Sequence, residues 1–327
     1  MPNLHRRVVL AAGLGLLAAS TVRAAGAVVR VDDPRLDALI DPAAPIRTLF
    51  DDGRWCEGPC WAPGLGGLVF SDTKANRIRV LADDRSVKTL FDPSENGNGN
   101  TLDGQGRLIT CEHRTRRVVR REPDGTKIVL ADAFAGRRLN SPNDAVVAAD
   151  GAVWFTDPVF GITQPEEGIL AEPEQGARRV YRVTAPGTPA AKVEAMTDAL
   201  DQPNGLAFAP DGRTLYVSES GASLNPEAGR AVMAFSVGAD GRLGPPRTFA
   251  PIEAGVPDGL KVDAAGRVYA ACGDGIRIFA PDGTPLGRIA TPTPAANLAF
   301  GGSDGRRLFV AAGHAILAID LRVAPRG

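Results

Sequence analysis

The sequence is short of several features that would fix its class at once. Its 327 residues include four cysteines, too few for a disulfide-built scaffold. Neither sign of charge dominates: 37 Lys+Arg stand against 38 Asp+Glu, a net charge of −1. That excludes the basic excess of a nucleic-acid-binding domain, and no polybasic run is present to hold an anionic membrane. No dinucleotide or phosphate-loop fingerprint occurs. The apolar run within residues 1–24 is too short to span a bilayer, and no stop-transfer pattern follows it.

What the chain has instead is turns. Its 38 Gly and 26 Pro are spread along the length, which predicts many tight turns and therefore many short strands. A hydrophobic fraction of 44% with 23% charged residues is an ordinary globular composition.

Residues 1–24 read as an address. Arg6 and Arg7 precede Val8-Val9-Leu10, an apolar Ala/Gly/Leu stretch follows, and Val22-Arg23-Ala24 supplies a small-residue cleavage site. The paired arginines resemble a twin-arginine export signal, with an ordinary Sec signal as the alternative. Either route predicts an exported, periplasmic protein with a slightly acidic mature chain. Residues 25–45 read as a lead-in.

From there the chain can be laid over itself. Pro203-Asn204-Gly205-Leu206, Asp211-Gly212-Arg213 and Leu215-Tyr216-Val217-Ser218-Glu219 form one unit. Pro142-Asn143-Asp144, Asp150-Gly151 and Val153-Trp154-Phe155-Thr156-Asp157 form another, and Pro257-Asp258-Gly259 with Gly266-Arg267 and Val268-Tyr269-Ala270 a third. Glu57-Gly58-Pro59, Asn98-Gly99 and Ala296-Asn297 begin three more. Each unit reads as strand, Xaa-Gly turn, strand, with further strand-like runs behind it. A period of roughly 40 to 50 residues is that of a four-stranded propeller blade. The expectation is an all-β, six-bladed β-propeller over residues 46–322, its blades stacked radially on one shared core. The last unit lacks a fourth strand near Asp320, and Ile46-Arg47-Thr48-Leu49-Phe50 is expected to supply it, closing the ring.

In such a ring the first strand of each blade lines the axis. Glu57, Asn98, Asn143, Asn204 and Asp258 should therefore meet at one mouth, although they are far apart in sequence. Two carboxylates and three amides form a hard-oxygen set suited to Ca²⁺, Mg²⁺ or Mn²⁺. Taken singly, each Asn or Asp reads better as a turn former; it is their convergence on one axis that favours a metal. His113, Asp157 and Glu219 fall at the ends of second strands and should rim the same mouth, as should insertions near 158–177 and 220–229. Asp157 and Glu219 are expected to fix neighbouring loops. His113 is read either as an acid or base or as a rim residue bonded to backbone.

Glu57-Gly58-Pro59-Cys60-Trp61, Asn140-Ser141-Pro142-Asn143-Asp144 with Trp154-Phe155-Thr156-Asp157-Pro158, Gln202-Pro203-Asn204-Gly205 and Pro257-Asp258-Gly259 resemble the senescence marker protein/gluconolactonase family. The likeness runs from about Asp33 to Arg322. It implies one catalytic divalent cation, commonly Ca²⁺ and in relatives Zn²⁺ or Mn²⁺, and hydrolysis of sugar lactones to aldonic acids. By motif, Glu57, Asn204 and Asp258 match metal ligands. Asn143 matches a position that ligates metal in some members and contacts substrate or bound water in others, and Asn98 matches one facing the substrate. Asp258 and His113 are the two candidates for moving a proton. A more distant resemblance is to paraoxonase-type lactonases, whose histidine dyad is incomplete here: His113 has no histidine partner at Asn98. Strictosidine-synthase-like propellers share the fold without the oxygen ring.

The resemblance implies a small-molecule sugar lactone as partner, with neither nucleic acid nor, after signal removal, a membrane. Two other functions remain open: a noncatalytic periplasmic binding or scaffold propeller, and ester or organophosphate hydrolysis on the same site. Cys56, Cys60, Cys111 and Cys272 permit disulfides or buried thiols. Trp55, Trp61 and Trp154 read as core or pocket wall. The run Arg114, Arg116, Arg117, Arg120, Arg121 reads as an exposed blade face, with Arg114 near the mouth.

Overall fold

The computed structural model describes residues 28–325; the export-signal reading of residues 1–24 lies outside them. Six four-stranded antiparallel blades follow one another along the chain. The first comprises Cys56–Ala62, Gly67–Asp72, Arg77–Leu81 and Val87–Phe91. The second comprises Gly97–Leu102, Leu108–Glu112, Arg117–Arg121 and Lys127–Ala131. Ala145–Val147, Val153–Asp157, Arg179–Thr184 and Lys192–Thr197 make the third, and Pro203–Phe208, Thr214–Glu219, Ala231–Ser236 and Arg247–Pro251 the fourth. The fifth contains Leu260–Val262, Val268–Cys272, Gly275–Phe279 and Pro285–Ile289. The first strands touch in cyclic order, the sixth blade's against the first's. The fold is a six-bladed β-propeller.

The sixth blade draws Ala295–Gly301, Arg307–Ala312 and Ala315–Asp320 from the end of the propeller and its outer strand, Arg47–Phe50, from the beginning. Arg47 pairs with Ala318 and Thr48 with Leu317. The lead-in is built into the ring too. Val29–Val31 adds a fifth strand to the fifth blade, Val29 opposite Ile289. Leu36, Leu39 and Ile40 behind it are fully buried between the fifth and sixth blades.

The expected single core is replaced by six. One apolar layer fills each boundary between neighbouring blades. The reason lies in the strands themselves. A second strand such as Val153–Asp157 is buried throughout, because both faces of its sheet are covered. Val153 and Phe155 pack towards the second blade while Trp154 between them packs towards the fourth. Alternation of side chains thus feeds two layers from one strand. Around the axis the first strands carry polar groups instead, so the apolar layers do not merge.

The arginine run of the second blade is not an exposed face. Glu112 is wholly buried and gathers Arg117 at 2.8 Å and Lys127 at 3.0 Å. Arg116 is buried with its Nε donating to the Leu139 carbonyl, and Arg121 is buried over the Phe91 ring at 3.5 Å. Guanidinium groups tolerate this burial because each finds a carboxylate, a carbonyl or an aromatic face. Arg114 is exposed. Trp61 stacks on Phe309 at 5.7 Å, between the first and last blades. Cys56, Cys111 and Cys272 are buried thiols, and burial raises the pKa of each.

Candidate active site

The five ring residues do converge. Glu57, Asn98, Asn143, Asn204 and Asp258 line one cavity of about 390 Å³ at a mouth of the channel, with Trp55 and Phe160 in its wall. What brings them together is a belt of close backbone contacts. Gly99 donates its amide to the Asn143 carbonyl at 2.8 Å, Gly205 to the Asp258 carbonyl at 3.0 Å, and Gly259 to the Ala296 carbonyl at 2.8 Å. Each bond crosses a blade boundary. A Cβ at Gly58 would stand 2.1 Å from the Asn98 carbonyl oxygen, and one at Gly205 would stand 2.3 Å from that of Asp258. The glycine after a ring residue is therefore required by the neighbouring blade.

A second device sets the approach to each ring residue. Asp157 accepts the Asn140 amide at 2.8 Å, three residues before Asn143. Glu219 accepts from Asp201 at 2.7 Å and Gln202 at 3.0 Å, just before Asn204. Asp72 accepts from Arg54 at 2.9 Å and Trp55 at 3.2 Å, just before Glu57. Carboxylates at the ends of second strands thus hold the segments that enter first strands, which is the loop-fixing role expected of Asp157 and Glu219. Burial pushes the Asp157 pKa up to about 7, although the amides of Asn140 and Ser141 pull it back.

The two ring carboxylates are held against their own charge. Glu57 is 4% exposed. Burial raises its pKa, the Gly58 amide lowers it, and the Asp144 and Glu167 carboxylates raise it further. Asp258 is raised well above the ordinary carboxylate range, first by burial and then by Glu57. The Asn204 side chain hydrogen-bonds to Asp258. The side-chain oxygen of Asn98 is buried and, among the described residues, has no hydrogen-bond partner. Mutually repelling carboxylates beside an orphaned amide oxygen make a donor set that fits a hard divalent cation. Among the described residues no three His, Cys, Asp or Glu side chains form a metal cluster; the set is two carboxylates completed by amides. The sixth ring position, Ala296, offers no side-chain donor, and Asn297 beside it donates to Asp144 at 3.3 Å and hydrogen-bonds to Glu57.

His113 does not reach the cavity. It is fully buried under the insertion that follows the third blade's second strand. Gly161, in the short helix Phe160–Thr163, lies so close that a Cβ there would stand 2.5 Å from the imidazole Cγ. Among the described residues neither ring nitrogen completes a hydrogen bond. Burial lowers its pKa to about 4, only partly offset by the Glu167 backbone. The imidazole lies beneath the insertion, against Gly161, and is not among the side chains that line the cavity.

That insertion delivers what the repeats could not show. Glu167 and Gln164 enter the cavity wall from it, and Lys74 enters from the turn after the first blade's second strand. Lys74 Nζ lies 3.7 Å from Glu167 and 4.8 Å from the centre of the Trp55 ring. Burial raises the Glu167 pKa, and the Lys74 charge opposes that rise. None of these residues belongs to the repeated frame, so periodicity carries no trace of them; the length of the insertion was the available signal.

Residues 55–314 match the model of the SMP-30/Gluconolactonase/LRE-like region. The chain belongs to this family. It is 33% identical over 311 residues to a gluconolactonase of Zymomonas mobilis, covering 88% of this chain and 84% of that one. A pentonolactonase of Haloferax volcanii is 27% identical, covering 78% of this chain and 80% of its own. Among solved structures, a gluconolactonase of Xanthomonas campestris superposes with a TM-score of 0.83 at 39% identity, covering 90% of this chain and 94% of that one.

Proposed function

We propose that this protein hydrolyses a sugar lactone of the gluconolactone type to its aldonic acid, with one divalent cation at the ring. Relatives named gluconolactonase, pentonolactonase and 6-deoxy-6-sulfogluconolactonase support the reaction class, and the chain is a lactone hydrolase. The observation that carries the cation is the pairing of buried Glu57 with half-buried Asp258, two carboxylates facing one cavity with Asn98, Asn143 and Asn204.

Glu57, Asn143, Asn204 and Asp258 would hold the ion, with Ca²⁺ the best match to an all-oxygen set and Mn²⁺ or Zn²⁺ as alternatives. When bound, it supplies Lewis-acid polarisation of the lactone carbonyl. The rest falls to the chain. Asn98 and Asn143 present amides to the substrate, and Trp55 and Phe160 add aromatic surface to the same wall. Asp258 is the carboxylate placed to take a proton from attacking water and return it to the ring oxygen as the acyl C–O bond breaks. His113, sealed beneath the insertion, leaves that role to Asp258.

A noncatalytic binding or scaffold propeller would have no use for two repelling carboxylates in its cavity. Ester or organophosphate hydrolysis on the same floor is the other reading. Export to the periplasm belongs to the same proposal and rests on the pattern of residues 1–24. Stripping metal with a chelator and assaying gluconolactone, then restoring Ca²⁺, Mn²⁺ or Zn²⁺, tests the reading. Loss and recovery of activity are expected; full activity in stripped protein overturns it.

A further inference from the structure

The cavity wall carries a charged pair that the hydrolytic reading does not use. Lys74 sits in the short helix Thr73–Ala75 of the first blade, and Glu167 sits in the insertion of the third. Both face the cavity. The Glu167 side chain is 8% exposed and that of Lys74 22%. Their separation of 3.7 Å is beyond the roughly 2.7 to 2.9 Å of a charge-assisted hydrogen bond. Each therefore keeps capacity for a third group between them: Lys74 has donors to give, and Glu167 has lone pairs to accept with.

The pair is set in place from below. Asn96 donates from one amide group to the Thr73 carbonyl at 2.8 Å and to the Glu166 carbonyl at 3.4 Å, tying the Lys74 turn to the Glu167 loop. His113 and Gly161 pack beneath the same loop, and a Cβ at Gly168 would stand 2.1 Å from the Gly161 carbonyl oxygen. The indole of Trp55, under the Lys74 ammonium, adds a flat apolar surface to the same wall. A donor, an acceptor and an aromatic face together match the hydroxyls and C–H face of a polyol. Glu166 also lies 3.5 Å from Lys74 and 3.9 Å from the Arg54 guanidinium, so two carboxylates and two cations meet at this wall.

We propose that Lys74 and Glu167 are the specificity-determining pair of the site, bridging hydroxyl groups of the lactone so that polyhydroxylated lactones are preferred to bare ones. This rests on the lactonase reading of the same cavity. A site built to hydrogen-bond a hydroxyl rejects the analogue lacking it, because its own polar groups are then left unpaired.

The test compares metal-loaded wild type, Lys74→Gln and Glu167→Gln on glucono-δ-lactone and on δ-valerolactone, which carries the same ring without hydroxyls. In each variant the ratio of kcat/KM for the two substrates should fall about tenfold to a hundredfold, as expected for a lost hydrogen bond to a charged group. KM for gluconolactone should carry most of the change. Calorimetric binding of 1,5-anhydroglucitol, a polyol ring that cannot be hydrolysed, should weaken in both variants. An equal loss on both lactones, or unchanged anhydroglucitol binding, overturns the specificity role while the lactonase reading stands. If wild type cleaves neither lactone, the underlying reading fails, and this inference with it.

Discussion

The amide of Gly205 donates to the carbonyl of Asp258 at 3.0 Å, so the residue after one ring position is bonded to the next ring position in the neighbouring blade. A methyl group at Gly205 would stand 2.3 Å from that oxygen and 2.6 Å from the Gly259 Cα. Both are backbone atoms and cannot swing aside. Gly205→Ala should therefore cost about 1–3 kcal/mol, the usual range for overpacking. It should also lower lactonase activity, because relief of the clash moves Asp258. Chemical denaturation and a gluconolactone assay check both; wild-type values in each would show that the belt yields without cost.

Cation binding should stabilise the fold, since the donors on separate blades meet only in the native ring. At a concentration one hundred times Kd, a ligand bound only by the folded state adds about 2.7 kcal/mol. Melting with Ca²⁺ and with excess chelator should differ accordingly. Glu57→Gln and Asp258→Asn should each abolish the difference. An undiminished Ca²⁺ shift in both variants would place the ion elsewhere.

His113 should make stability depend on pH. Its native pKa of about 4 lies below the ordinary histidine value of 6.5. Between those limits the unfolded chain binds the proton and the folded chain does not, so stability is complete above pH 6.5 and is lost as pH falls towards 4. The full loss is about 3 kcal/mol. His113→Gln should flatten this part of the profile in urea titrations, and an unchanged slope would assign it to other groups.

Glu219 holds three amides at once: Asp201 at 2.7 Å, Gln202 at 3.0 Å and Gly221 at 2.8 Å. Glu219→Ala leaves them without their acceptor in a buried setting, at about 1–3 kcal/mol for each amide that water cannot reach. Asn204 follows directly in the same segment, so Ca²⁺ affinity should fall with stability. The Asp211→Ala change in an exposed turn of the same blade serves as control and should leave affinity intact.

Much of the propeller is legible because a blade is a local object. Strand, Asp-Gly turn and strand recur with the same residues, and Gly151 and Gly212 take the positive φ such turns need, 81° and 69°. The ring residues are legible for the same reason: Asn143, Asn204 and Asp258 occupy one position of one repeat. Glu167, Lys74 and the burial of His113 are not, because they depend on how an insertion folds back over a neighbouring blade. The burial of Leu36, Leu39 and Ile40 is illegible in the sequence for a related reason. Their partners Ile289 and Leu321 lie at the far end of the chain, and no local pattern records a contact at that distance. Leu39→Ala should cost about 2–5 kcal/mol, as for other fully buried leucines, measurable by denaturant melts; a cost near zero would show that the segment is a dispensable appendage.

The pairing of Arg47 with Ala318 also sets a schedule. A ribosome releases the strand containing Arg47 long before the sheet that receives it has been made. Until Ala315–Asp320 has emerged, the sixth blade cannot be completed. Until then the first and fifth blades each wait with the side that packs on the sixth uncovered. The entropic toll of so long a loop falls on the last step, so assembly is expected to be cooperative, late and slow, with no long-lived partial ring in which the cation donors are already gathered.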